Sequence, residues 1–100
     1  MTIHVYGKQN CDLCDSAKKK IKHFLDRWGV EDEVEVAFMD MEGDFHAAAE
    51  GDFFDVFEIP TVMVMQDEWK VKARWDGEAP PSGELKKALG ELQGSDSAAA

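Results

Sequence analysis

Apolar residues along this chain recur with periods that assign its elements. From Thr2 to Tyr6 the run Thr-Ile-His-Val-Tyr is β-branched and aromatic and stops at Gly7, which predicts a first strand. Beyond it Cys14, Ala17, Ile21, Phe24, Leu25 and Trp28 recur at steps of three and four residues, and Lys18, Lys19, Lys20 and Lys22 fill the positions between. That spacing places the apolar side chains on one stripe of an amphipathic helix, which Gly29 ends. After the acidic loop Glu31-Asp32-Glu33, the residues Val34, Val36, Phe38 and Met39 predict a second strand. A second helix is expected from Asp44 to Glu50, kinked or broken near Gly51, because glycine costs a helix interior about 1 kcal/mol relative to alanine.

The remaining elements follow from the same patterns. Thr61 to Met65 and Val71 to Trp75 are β-rich runs separated by the polar Gln66 to Glu68, which predicts an antiparallel hairpin. Ile59-Pro60 opens the first run, where proline donates no ladder hydrogen bond and restricts Ile59 to extended backbone. Beyond Pro80-Pro81, Ser82 is the candidate N-cap of a third helix whose stripe is Leu85, Ala88, Leu89 and Leu92, closed by Gly94. Residues 95–100 carry no core-forming pattern and are expected to be a disordered tail. The order β-α-β-α-β-β-α predicts one α/β domain over residues 1–94, a mixed four-stranded sheet flanked by three helices.

Composition narrows the function classes. The chain has 21 Asp and Glu against 11 Lys and Arg, a formal charge of -10 that repels phosphate backbones and anionic lipid. Neither nucleic acid nor a membrane is expected as a partner, and no apolar run approaches the ~20 residues of a membrane span. The first residues lack the basic start and apolar stretch of a secretory signal, so the cytoplasm is the expected compartment. One hundred residues at 44% hydrophobic composition suit a single small domain, expected as a monomer.

The chemistry concentrates in the two cysteines, Cys11 and Cys14. Their loop is too short to stabilise the fold much by restricting the unfolded chain. Lying between a strand and a helix, Cys11-Asp12-Leu13-Cys14 reads instead as a redox motif. A thiolate at the first turn of the helix gains from unpaired amide N–H groups and the positive end of the dipole, which makes Cys11 the nucleophile. Cys14, one turn on and on the buried stripe, attacks the resulting mixed disulfide and is the resolving thiol. Asp12 and Leu13 modulate the pair, Asp12 because its carboxylate opposes a neighbouring thiolate while suiting the dipole. Lys8, three residues before Cys11, offsets Asp12 or meets an anionic substrate.

The alternative for the same cysteines is soft-metal binding, since such a pair supplies two of four zinc ligands. No second cysteine pair exists, Gln9 stands two residues before Cys11 where copper chaperones have Met, and no metal is expected. Trp28, Trp69, Trp75, Met63 and Met65 read as packing residues, and His4, His23 and His46 are dispersed.

Taken together, the first strand, Cys11-Asp12-Leu13-Cys14, Ile59-Pro60-Thr61, the hairpin and the closing helix resemble the thioredoxin-like superfamily over residues 2 to 93. With Cys11 so near the start, the chain is similar in size to glutaredoxins. The resemblance implies a thiol-disulfide oxidoreductase engaged in electron transfer, with Pro60 as a cis-proline facing Cys11. It implies that Ile59, Pro60 and Thr61 receive an extended substrate segment, the backbone of Ile59 pairing with it. Lys8 matches the basic position that glutaredoxins use for a glutathione carboxylate. Asp12 and Leu13 stand where glutaredoxins have Pro and Tyr, Glu58 replaces a Thr, and no Gly-Gly-Asp follows the hairpin; no cofactor is expected, with glutathione the one the resemblance leaves open. The implied partners are a disulfide-containing protein substrate and a reductase or thiol donor. The family also implies a variant of the metal alternative, an iron-sulfur cluster bridging a dimer through Cys11. The buried Asp of thioredoxins has no counterpart, because Val5 occupies its place.

Overall fold

A computed structural model describes residues 1–67 and 69–90. Side chains alternate across the first strand, β1 (Thr2–Gly7), and this divides the core in two. Ile3 and Val5 face one side and pack with Ile21, Leu25, Val62, Val64, Leu85 and Leu89. Tyr6 faces the other, with Val56, Met63 and Met65. The helical stripe read from the sequence is the buried face of α1 (Asp12–Trp28), where Cys14, Ala17, Ile21 and Leu25 are all buried. Truncating such a residue, Ile21→Ala for example, removes packing worth about 2–5 kcal/mol.

The other elements are β2 (Glu35–Asp40), α2 (Phe45–Phe53), β3 (Thr61–Asp67), β4 (Lys70–Asp76) and α3 (Ser82–Ala88). The sheet order is β2-β1-β3-β4. β1 and β2 are parallel, so the chain between them has to cross over, and α1 is that crossover. β1 and β3 are antiparallel with Tyr6 opposite Thr61, and β3 and β4 form the expected hairpin. That register sets the residue after Pro60 beside the last turn of chain before Gly7, and so carries a segment fifty residues distant to the cysteine end of the sheet.

Two expectations are corrected. α2 is not broken at Gly51 but runs through it to Phe53. Gly51 is buried, and the end of the Met41 side chain packs on it, 2.5 Å from where a Cβ would stand. Ser82 is not the N-cap of α3 but its first residue; Pro81 holds the cap position, with φ -61 and ψ 143, and no side chain bonds the end. Proline's fixed φ already aims the chain into the first turn. Trp75 packs as expected and its indole N–H donates to Glu84 Oε1 at 3.0 Å, joining β4 to α3. Trp69 is exposed instead, against the rings of Phe53 and Phe54. Leu92, Gly94 and the tail expected at 95–100 lie outside the described residues. Among the described residues no helix is long and apolar enough to cross a membrane.

Candidate active site

Cys11 is the N-cap of α1, in extended conformation, and Cys14 follows one turn later. The two are joined as a disulfide with Cα atoms 5.2 Å apart. Cys11 Sγ accepts a hydrogen bond from the Cys14 backbone N–H at 3.2 Å, and its carbonyl accepts the first helical bond from Asp15 at 3.0 Å. An amide aimed at Sγ stabilises negative charge there, which is what the departing or attacking form of Cys11 carries. Cys14 is fully buried whereas Cys11 is partly exposed. Of the two, Cys11 is the residue that solvent reaches.

The loop before Cys11 is held from two sides. Asn10 sits in the left-handed region at φ 57, which turns the chain into the helix. Gln9 donates to Asp40 Oδ2 at 3.1 Å, tying the loop to the end of β2. The Gly43 N–H above all, then the Gln9 amide, hold the Asp40 carboxyl below its usual range. Beneath the cysteines, Gly7 comes so near Cys14 Sγ that a Cβ at residue 7 would lie 2.7 Å from it and 3.2 Å from the Phe38 ring. Lys18, one turn after Cys14, places its ammonium 4.4 Å from the centroid of that ring.

The Ile59–Pro60 peptide is cis. Pro60 is buried at the floor of a groove of about 260 Å³, whose walls are Leu13, Ser16, Ala17 and Lys20 of α1 and Gly77, Glu78 and Ala79 after β4. Leu13, between the cysteines, is 67% exposed at its edge. Thus the groove joins the cysteine turn to the proline. Ile59 is half-buried and outside the groove lining. Thr61 is fully buried, and its hydroxyl donates to Glu58 O at 2.5 Å, shaping the turn around Pro60. Lys8 is half-buried and Asp12 exposed, and neither lines the groove.

The sequence did not mark Gly7, Phe38, Gly77 or Ala79 as site residues. Gly7 was visible only as the end of a strand, and the other three reach the site through tertiary packing. Among the described residues no group of three His, Cys, Asp or Glu is placed to hold a metal ion.

The topology has counterparts among solved structures. Thioredoxin 1 of the thermophilic eubacterium Thermosipho africanus superposes with a TM-score of 0.62 at 16% identity, covering 97% of this chain and 99% of that one. This chain has a thioredoxin-like fold. Fasciola hepatica thioredoxin matches it at TM-score 0.64 and 23% identity, covering 90% of this chain and 78% of its own. A thioredoxin-fold protein from Helicobacter pylori matches at TM-score 0.68 and 16% identity, over 94% and 70% of the two chains. No protein-family model and no curated protein sequence matches the chain. The thioredoxin-like fold therefore stands on architecture, and the residues at its cysteine end have to carry the argument for activity.

Proposed function

We propose that this protein is a thiol-disulfide oxidoreductase that shuttles electrons between a disulfide-containing protein and a reductase or thiol donor. The observation that carries the reading is the Cys11–Cys14 pair itself, one sulfur partly exposed at a helix N-cap and the other buried one turn behind it. In the reducing direction, Cys11 thiolate attacks a target disulfide and forms a mixed disulfide, and the other target sulfur leaves as thiolate and takes a proton from water. Cys14 then gives up its proton to water and attacks Cys11 Sγ as thiolate, which closes the Cys11–Cys14 bond and releases the second target sulfur as a thiolate that takes up a proton. Two electrons pass to the target and none are left over.

In this reading Pro60, Ile59 and Thr61 border the path of the target chain, and Lys8, Asp12 and Leu13 tune the cysteine turn. The protein works in the cytoplasm as a monomer and without a bound cofactor. A soft-metal or cluster role for the same pair would need ligands from a second molecule, and no observation favours it over exchange chemistry.

The test is equilibration of the purified protein with dithiothreitol and with glutathione redox buffers, reading the disulfide by alkylation and mass, with a metal assay on the same sample. A reversible two-electron couple in metal-free protein is expected, abolished by Cys11→Ser. Cys14→Ser is expected to trap a mixed disulfide at Cys11. Failure of the pair to close, with stoichiometric metal bound and the thiols protected, would overturn the reading.

A further inference from the structure

The groove beside the cysteine turn is lined by one carboxylate, Glu78, and one cation, Lys20, and outside its lining stand the acids Glu58 and Asp12 and the half-buried Lys8. Gly77, one of its lining residues, has φ +78, and a Cβ there would stand 2.6 Å from Glu58 Oε2. The Glu58 carboxylate therefore lies beside Gly77, outside the lining itself, and Glu78, the residue after Gly77, lines the groove. Asp12 follows Cys11 at the other end, and all three acids are exposed to solvent. The cation in the lining is Lys20, whose ammonium lies 5.9 Å from the Phe24 ring centroid, one turn further along α1. Nine residues separate Lys20 from Cys11, roughly 13 Å of helix rise, so its charge sits away from the reacting sulfur. Of the remaining lining residues Leu13, Ala17, Pro60 and Ala79 are apolar, and Ser16 is polar and uncharged.

Resting on the oxidoreductase reading, we propose that this groove selects its targets by charge. It takes a disulfide-bearing segment with an apolar residue next to the cysteine and lysine or arginine beyond it, and it turns away anionic segments. The apolar side chain enters between Leu13, Pro60 and Ala79, where it covers an exposed leucine. The cation meets the carboxylates of Glu58 and Glu78. Charge pairs of this kind act mainly on encounter and on rejection of wrong partners, and they weaken with salt. Glutathione, itself anionic, is by the same physics a poor partner for this rim.

The experiment uses two short peptides, each with one intramolecular disulfide, identical except that lysines flank the ring in one and glutamates in the other. Reduced protein, freed of excess dithiothreitol, is mixed with each, and the reaction is quenched by alkylation and read by mass. Each turnover leaves the peptide as a dithiol and the protein as its Cys11–Cys14 disulfide. The lysine peptide is expected to react roughly tenfold faster or more at low ionic strength, with the difference shrinking in salt. In a Glu58→Gln/Glu78→Gln double variant the ratio of the two rates should approach one. A Glu31→Gln/Glu33→Gln double variant, changed by the same charge in the loop before β2, should keep the ratio. Because each ratio is measured within one protein, partial loss of folded material does not alter it.

Equal rates with both peptides would overturn charge selection and leave the oxidoreductase reading standing. A ratio that falls equally in the two double variants would assign the preference to net charge and remove Glu58 and Glu78 from the proposal. If neither peptide is reduced, the oxidoreductase reading fails and the proposal with it.

Discussion

Gly7 and Cys14 approach so closely that a methyl group at residue 7 would lie 2.7 Å from the Cys14 sulfur and 3.0 Å from its Cβ. The contact explains how α1 can cross over β1 with a cysteine on its buried face, since sulfur fills the space that a side chain at residue 7 would take. It also places the Cys14 sulfur against backbone, with the Phe38 ring alongside, and gives it no room to drift from Cys11.

Gly7→Ala is therefore expected to lower stability by about 1–3 kcal/mol, the usual cost of overpacking a filled site. Urea unfolding of the oxidised and reduced proteins measures it, and closure of the disulfide should slow in parallel as Cys14 is pushed from its place. An unchanged unfolding midpoint would mean that helix and strand separate easily, contrary to the packing described.

A second expectation concerns the exposed Asp12 beside Cys11. Its carboxylate raises the local cost of a thiolate that the Cys14 amide and the helix dipole otherwise favour. Asp12→Asn is expected to lower the Cys11 pKa, and with it to speed alkylation of the reduced protein below neutral pH. Thiolate absorbance followed against pH in a Cys14→Ser background isolates Cys11. A higher or unmoved value would show that Asp12 acts chiefly through the helix end and not on the sulfur.

Much of this architecture was legible from periodicity. The stripe from Cys14 to Leu25 is the buried face of α1, and the alternation of β1 sorts Ile3 and Val5 from Tyr6. The cysteine turn was legible because its chemistry lies in adjacent residues. What escaped is what depends on space between elements. Gly51 reads as a helix breaker by propensity, yet it stands inside α2, buried with the flexible end of the Met41 side chain against it. Ser82 has the right chemistry for an N-cap, but Pro81 one residue earlier already supplies the geometry. The wall of Gly77, Glu78 and Ala79 carries no motif, and only the return of β4 brings it to Leu13 and Pro60.

The turn that leads to Pro60 depends on a residue from the edge of the sheet. Arg74 of β4 donates through one terminal nitrogen to Phe54 O and through the other to Asp55 O at 2.9 Å, while its Nε bonds Asp76 at 2.7 Å. Asp55 takes a left-handed backbone at φ 55, so the turn it belongs to needs outside support. Arg74→Ala leaves both carbonyls without their donor and is expected to cost about 1–2 kcal/mol. Arg74→Lys should rescue only part of it, because an ammonium cannot bond two carbonyls in the plane of a guanidinium. Urea midpoints give the cost, and amide exchange at residues 54–58 should accelerate more than exchange in α1. Uniform acceleration would place the role of Arg74 in global stability instead of in this turn.

Tyr6 supplies the last test, and its uniqueness makes it clean, for it is the sole tyrosine of the chain. The ring is fully buried on the α2 side of the sheet, and its hydroxyl lies 3.4 Å from His4 Nδ1. Burial disfavours the phenolate and, with the Glu50 carboxylate adding to it and Arg74 opposing, pushes the Tyr6 pKa from 10.0 up to about 12. In the unfolded chain the phenol ionises at its ordinary value, so between pH 10 and 12 the unfolded state has lost a proton that the folded state keeps. The stabilisation is thus whole below pH 10 and is lost as pH rises toward 12. Tyrosinate absorbance of the folded protein should rise near pH 12 or with unfolding, whichever comes first, and Tyr6→Phe should lose less stability across that window than the parent. Ionisation at pH 10 with the fold intact would show that water reaches the hydroxyl, and that the second core is open where the structure closes it.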